Sequence, residues 1–317
     1  MIKYRQGVSE IRRLLMINQN KIEIFQKGKN GTPIIIFTGI GCSFDEWYEV
    51  TDLLSQSNRV IMFHRPGLGE SEIGNEVRNT QSVVNEVNEM IHLLKLSEPV
   101  ILIGHSYGGL CAQHFVKVHP NKVVGIVLVD STSVDLKVLD DLNLPVLNEE
   151  STDEYWMEKC HSYSLMNQGE LTKIIKPTLT EKQKLFMKDI QQRLIDFQVN
   201  PSLYKAMHSE ISNWKRDADI IKNLVEYPNI PLIVIGRDKE HCINLGVMDG
   251  LPEWELRVFE EKWQELIMYQ ANLTQNSNLI FAQNASHSIH FDRPDIIIES
   301  INKLNYFLLM GEFLQND

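Results

Sequence analysis

The sequence reads Pro99-Val-Ile-Leu-Ile-Gly104-His105-Ser106-Tyr107-Gly108-Gly109 at the stretch that decides its fold. Residues 99–103 are apolar and mostly β-branched, as expected for a strand buried on both faces of a parallel sheet. After Gly109 the chain continues without Gly or Pro as far as Pro120, which predicts one short helix. A G-x-S-x-G motif between a strand and a helix predicts a sharp turn that exposes the serine hydroxyl.

Ser106 is therefore the predicted nucleophile of an acyl-transfer reaction. The flanking Gly104 and Gly108 fit a turn in which strand and helix approach too closely for side chains. The N–H group of Tyr107 would lie at the helix N-terminus, where free donors and the helix dipole favour a developing negative charge. Tyr107 is thus the first predicted donor to an oxyanion.

A second oxyanion donor is predicted in the glycine-bearing loop Thr38-Gly39-Ile40-Gly41-Cys42-Ser43. This loop follows the buried-strand pattern of residues 33–37 and precedes a predicted helix over 45–54. Acyl-transfer chemistry needs a backbone N–H group that faces the nucleophile from the other side. We assign this role to the N–H group of Ile40.

Strands and helices alternate along most of the chain, which predicts a mostly parallel sheet with helices on both faces. The predicted strands cover residues 21–25, 33–37, 60–63, 99–103, 123–129, 231–235 and 278–282.

Helical patterns alone fill the interval between the fifth and sixth of these strands. We therefore expect an α/β core formed by residues 1–130 and 228–317, with a helical lid at 131–227 over the carboxyl ends of the strands. Within the lid, the capping box Thr180-Glu-Lys-Gln183 predicts a helix that carries Phe186, Ile190, Leu194 and Phe197 on one face.

Composition narrows the range of partners. The 317-residue chain has a formal net charge of −11 and no dense Lys/Arg block, which argues against nucleic acid or an anionic membrane as a partner. Residues 1–20 contain no apolar segment typical of a secretory signal, and the four scattered cysteines fit reduced thiols, so we expect a cytoplasmic location. No metal-ligand spacing is present, and neither a metal nor an organic cofactor is expected. The sequence indicates a small-molecule substrate and does not indicate an oligomeric state.

The layout resembles the α/β-hydrolase superfamily, in its lidded, esterase-like branch. The resemblance covers residues 21–310 and depends on four separated motifs in the family's order. These are the Thr38-Gly39 loop, the turn His64-Arg-Pro-Gly-Leu-Gly69, the elbow Gly104-His-Ser-Tyr-Gly108, and the run from Ser286-His287 to Asp292-Arg-Pro294. The chain departs from the family at Thr38, where most members have His, and at His64, where Asp is commoner.

The resemblance implies that His287 is the general base, while the nearby His290 matches a position that usually only packs. It leaves the acid open. Asp130 follows the strand before the lid, a position used by some members, and the long segment before the helix that begins near Trp263 favours it. Asp238 is the alternate acid, because it follows the post-lid strand at nearly the usual distance, and Glu240 falls in another register.

These residues together predict a serine hydrolase that cleaves an ester-like bond (carboxylester, lactone or related) of a small apolar substrate through an acyl-enzyme on Ser106. A carboxylate nucleophile, as dehalogenation requires, is absent from that position. The alternative is a non-catalytic ligand-binding protein that retains the hydrolase fold.

Overall fold

The computed structural model describes residues 10–311. Residues 1–9 lie outside this range. The expectation that residues 1–20 contain no secretory signal therefore falls partly outside the described residues.

One sheet of eight strands organises the described chain, in the order β1-β2-β4-β3-β5-β6-β7-β8. The strands are β1 Glu10–Ile17, β2 Asn20–Lys27, β3 Ile34–Phe37, β4 Val60–Phe63, β5 Val100–His105, β6 Val123–Val129, β7 Leu232–Arg237 and β8 Ser277–Ala282. β2 runs antiparallel to its neighbours β1 and β4, and every other neighbouring pair is parallel. The predicted α/β-hydrolase architecture, with its mostly parallel sheet, is confirmed.

Twelve α-helices lie between and after these strands within residues 10–311. They are α1 Tyr48–Leu54, α2 Thr80–Leu93, α3 Tyr107–Val118, α4 Asn148–Ser151, α5 Asp153–Ser164, α6 Gln168–Ile175, α7 Lys188–Gln198, α8 Pro201–Asn223, α9 Lys239–Met248, α10 Glu253–Gln270, α11 Ile289–Asp292 and α12 Pro294–Met310. Short 3₁₀ turns complete the described chain. No helix within these residues is both long and apolar enough to cross a membrane.

Two hydrophobic clusters cover the two faces of the sheet. One face packs against α2, α3 and the end of α8, where Ala218 and Ile221 are fully buried. The other face packs against α1 and α12, through residues such as Val50 and Ile301. Because both faces are covered, the central strands are continuously apolar, as their sequences indicate.

The seven predicted strands are all present, but β1 was not predicted. Its residues pair with β2 in register from Glu10 opposite Lys27 to Ile17 opposite Asn20. The sequence EIRRLLMI does not alternate cleanly, and five of the eight residues of β1 are exposed. An edge strand of this kind gives a weak periodic signal.

Helices alone occupy the interval between β6 and β7, as predicted for the insertion at 131–227; its role as a separate lid stays a prediction. The capping box forms, since Gln183 N donates to Thr180 Oγ1 (3.2 Å) and Thr180 N donates to Gln183 Oε1 (2.9 Å). The helix predicted to follow it is confirmed only in part. The chain is extended at Phe186, so this residue lies outside the helix, and α7 begins at Lys188 and buries the predicted Ile190, Leu194 and Phe197. The extended backbone lets the Phe186 ring pack 6.2 Å from the ring of Tyr48.

Candidate active site

Ser106 occupies the turn between β5 and α3, with φ 53° and ψ −127°. A residue other than glycine rarely adopts this backbone conformation, and such strain is found mainly at functional sites. A Cβ atom on Gly108 would lie 2.3 Å from the carbonyl oxygen of Phe37, and one on Gly104 would lie 2.6 Å from Gly109 Cα. Both glycines are therefore required by close backbone approach, as the motif indicates.

The loop after β3 lies against this turn. A Cβ atom on Gly39 would be 3.2 Å from Ser106 Cβ, which places the Ile40 peptide close to Ser106. Tyr107 is the first residue of α3, where backbone N–H groups have no intrahelical acceptor. Neither the Ile40 nor the Tyr107 N–H group donates a hydrogen bond within residues 10–311, so both are available to a bound oxyanion.

His287 lies in the turn between β8 and α11 and contacts the carboxylate of Asp130. Its Nδ1 atom is 2.6 Å from Asp130 Oδ2. The Asp130 side chain is fully buried, whereas that of His287 is 40% exposed, so the imidazole is open to a substrate.

The turn that carries His287 is attached to the elbow. The Nε2 atom of His105, which precedes Ser106, hydrogen-bonds to the carbonyl oxygen of His287 (2.9 Å). Burial, reinforced by the neighbouring His287, lowers the pKa of His105 to about 3, so His105 stays neutral and donates this bond. The hydroxyl of Ser106 makes no hydrogen bond within residues 10–311. Catalytic hydrogen bonds often tighten only when substrate binds.

Of the three candidate acids, only Asp130 contacts His287. Asp238 instead caps α9, where its carboxylate accepts hydrogen bonds from the N–H groups of His241 (3.2 Å) and Asn284 (2.9 Å). Glu240 lies on the surface, 3.0 Å from the guanidinium of Arg257.

Asp130 is surrounded by donors that the sequence did not identify. Its Oδ1 atom accepts from Trp263 Nε1 (2.9 Å) and from the backbone N of Arg237 (3.2 Å), while Oδ2 also accepts from the Arg237 guanidinium (3.1 Å). Burial alone would raise the pKa of Asp130, but the charge of Arg237 and the hydrogen bond from His287 outweigh it and hold that pKa well below its usual range. Glu260 forms a two-point ion pair with Arg237 (2.7 and 2.8 Å). Asp130 therefore remains a carboxylate at neutral pH.

The other histidines of the motifs lie in packed positions. His290 is buried and stacks on Trp47 at a ring distance of 4.5 Å. His64 is fully buried, accepts a hydrogen bond at Nε2 from the backbone N of Phe44 (3.1 Å), and directs Nδ1 to Glu23 Oε2 (2.7 Å). Because Nε2 accepts, Nδ1 carries the proton.

No group of three or more His, Cys, Asp or Glu side chains in the described part of the chain is arranged to hold a metal ion. Its four cysteines form no disulfide with one another.

Residues 32–294 match the family model of the α/β-hydrolase fold, and the chain belongs to this family. The uncharacterized protein YqjL of Bacillus subtilis is 22% identical over 272 residues, which are 86% of this chain and 83% of that protein.

Two solved structures are similar to this chain in fold. The epoxide hydrolase CorEH superposes with a TM-score of 0.63 at 17% identity, covering 96% of this chain and all of that one. The enol-lactonase of Burkholderia xenovorans LB400 superposes with a TM-score of 0.63 at 15% identity, covering 92% of this chain and 99% of that one. At these identities the likeness shows the fold alone, so the reaction has to be argued from the site.

Proposed function

We propose that this chain is a serine hydrolase in which Ser106, His287 and Asp130 act as nucleophile, general base and orienting acid. One observation carries the proposal: the Asp130–His287 pair, with its 2.6 Å contact, lies beside the strained turn that presents Ser106. A serine at this position, rather than a carboxylate, favours an acyl-enzyme over an alkyl-enzyme reaction.

The proposed cycle follows from the atoms present. His287 Nε2 takes the proton of Ser106 Oγ as the oxygen attacks an ester-like carbonyl, while Asp130 holds Nδ1–H and stabilises the imidazolium. The negative charge that develops on the carbonyl oxygen is bound by the N–H groups of Ile40 and Tyr107. The proton on His287 passes to the leaving alcohol, and the acyl-enzyme is then hydrolysed by a water molecule that His287 activates.

The substrate class is a small apolar ester-like molecule: a carboxylester, a lactone or a related compound. In this fold ligands bind outside the carboxyl ends of the parallel strands, which is where β5, β6 and the His287 turn meet.

Labelling and turnover test the proposal on the purified chain. A fluorophosphonate probe and p-nitrophenyl esters of increasing chain length would be compared for the natural protein, Ser106→Ala and Ser164→Ala. Ser164 is a suitable control because its hydroxyl lies on the surface, where its one hydrogen bond within residues 10–311 goes to the carbonyl oxygen of His161. We expect Ser106→Ala to lose labelling and to fall by about 10³-fold or more in turnover, with the control unchanged. Absence of labelling in the natural protein would instead support a non-catalytic binding protein.

A further inference from the structure

Arg65 is a buried cation next to the candidate oxyanion site. It follows β4, its side chain is 1% exposed, and its guanidinium donates to the carbonyl oxygens of Thr38 (2.7 Å) and Gly39 (2.9 Å). The oxygen of Gly39 and the N–H group of Ile40 belong to the same planar peptide unit and point in opposite directions. Fixing the oxygen of Gly39 therefore fixes the direction of the Ile40 N–H group.

The same guanidinium also contacts the other half of the oxyanion site. It lies over the ring of Tyr107, 5.3 Å from the ring centroid. Arg65 thus touches both segments whose N–H groups are proposed to bind the oxyanion.

The remaining donors of Arg65 are bound by Glu210 of helix α8. The Nε and Nη2 atoms lie 2.6 and 3.1 Å from the two carboxylate oxygens of Glu210, whose side chain is fully buried. Burial alone would lower the pKa of Arg65, but the charge and hydrogen bonds of Glu210 raise it above its usual value. A buried guanidinium without such a partner would be strongly unfavourable.

Helix α8 also packs against two loops: the loop after β3, which Arg65 binds, and the loop after β4, which carries Arg65. A Cβ atom on Gly41 would lie 2.8 Å from Met207 Sδ, and one on Gly67 would lie 2.8 Å from Ala206 Cβ. Ala206, Met207 and Glu210 fall within about one turn of the helix, so a single face of α8 contacts both loops.

We infer that Arg65 is a positioning residue for the oxyanion site and that Glu210, from the helical insertion, holds Arg65 in place. This inference rests on the proposed function. It makes α8 a fixed part of the catalytic site rather than a cover above it, because the direction of the Ile40 N–H group depends on a carboxylate of that helix.

The structure offers a matched control for this inference. Arg78 and Glu86 form a second buried pair, with contacts of 2.6 and 2.8 Å, and they touch neither the 38–42 loop nor Tyr107 by hydrogen bond or ion pair. Breaking either pair leaves an uncompensated guanidinium inside the protein, so the losses of stability should be similar. Only the Glu210 variant should also change catalysis.

The test compares Glu210→Gln and Glu86→Gln for thermal stability, for kcat and KM with p-nitrophenyl butyrate, and for inhibition by a trifluoromethyl ketone, which forms an oxyanion adduct with an active serine. We expect Glu210→Gln to lower kcat by about 10- to 100-fold with little change in KM, and to weaken ketone inhibition by a similar factor. Arg65→Lys should behave in the same way, because an ammonium group cannot reach both carbonyls and Glu210 together. Should Glu210→Gln not fold, Glu210→Asp provides the same measurements with the charge retained and the contact lengthened.

Equal losses of kcat in the Glu210 and Glu86 variants, or an unchanged kcat and ketone affinity in a folded Glu210 variant, would overturn the inference. The Ser106→Ala comparison separates this failure from that of the proposed function. Turnover that survives Ser106→Ala would reject the serine mechanism, whereas turnover that depends on Ser106 but not on Glu210 would reject only the role of Arg65 and Glu210.

Discussion

Asp130 and His287, 157 positions apart in the chain, meet at a distance of 2.6 Å between Oδ2 and Nδ1. The contact forms because β6 ends at Val129 and β8 ends at Ala282, and both parallel strands direct their carboxyl ends to the same edge of the sheet. The turn after β5 that carries Ser106 opens at this edge as well. The topology therefore brings three distant segments to one place.

Replacing Asp130 with Asn should remove the charge that stabilises the His287 imidazolium and the acceptor that fixes its tautomer. We expect kcat to fall by about 10³- to 10⁴-fold. Asp238→Asn is the matched control, because Asn also serves as a helix N-cap and the residue lies outside the proposed mechanism. Steady-state kinetics on both variants would check the assignment. A large loss in Asp238→Asn with little loss in Asp130→Asn would exchange their roles.

Much of the fold could be predicted because its strands are buried on both faces and their sequences are continuously apolar. The hairpin of β1 and β2 was harder to predict from the sequence. Its turn residues Asn18 and Gln19 both have positive φ (46° and 68°), yet Asn-Gln lacks the glycine that usually marks such a turn. Contacts distant in sequence also hold β1, among them the ion pair of Arg12 with Asp45 (2.8 Å), and no local pattern encodes them.

The site could be predicted as far as its motifs extend. The elbow and the turn that carries His287 are each formed by a short continuous segment, so sequence motifs could identify their residues. Arg237 and Trp263, in contrast, reach Asp130 across 107 and 133 positions. Their contacts depend on the order of β6 and β7 and on the placement of α10, and no short motif encodes that geometry. The choice between Asp130 and Asp238 was open for the same reason.

Glu46 should make stability depend on pH. Burial, together with the nearby Asp45, raises the pKa of Glu46 from 4.5 to about 7, so the folded protein binds this proton more tightly than the unfolded chain. Stability should therefore fall as pH rises from about 4.5 to 7. Glu46→Gln removes this titrating group. We expect the difference in the free energy of unfolding, variant minus natural protein, to be about 2 kcal/mol larger at pH 8 than at pH 5.

Urea denaturation of the natural protein and the Glu46 variant at the two pH values measures this effect. Glu181→Gln is the control, because the Glu181 side chain is 92% exposed. An equal change of stability with pH in the natural protein and Glu46→Gln would contradict the assigned pKa.

Gly108→Ala should disrupt the elbow. The new Cβ atom would lie 2.3 Å from the carbonyl oxygen of Phe37 and 2.6 Å from that of Thr38, and both are backbone atoms that cannot rotate away. We expect a loss of about 3 kcal/mol or more in stability, together with loss of esterase activity. Gly169→Ala is the control, because its Cβ would meet only a side-chain oxygen at 3.3 Å and alanine favours the helix. Equal thermal stability of the Gly108→Ala and Gly169→Ala variants would contradict the close approach of Gly108 to the backbone of Phe37 and Thr38.

The backbone of Ser106 stores strain that can be separated from its chemistry. With φ 53° and ψ −127°, any residue with a Cβ atom is unfavourable at this position, whereas glycine adopts the conformation freely. Ser106→Ala and Ser106→Gly both remove the hydroxyl, so neither should turn over an ester, and they differ only in the presence of Cβ. Relief of strain favours the glycine variant by about 1–3 kcal/mol, and the greater entropy of glycine in the unfolded chain offsets part of this. We therefore expect Ser106→Gly to exceed Ser106→Ala by about 1 kcal/mol in the free energy of unfolding, measured by urea denaturation. A glycine variant that is less stable than the alanine variant would show that the surrounding loops, rather than a strained backbone, hold the serine in place.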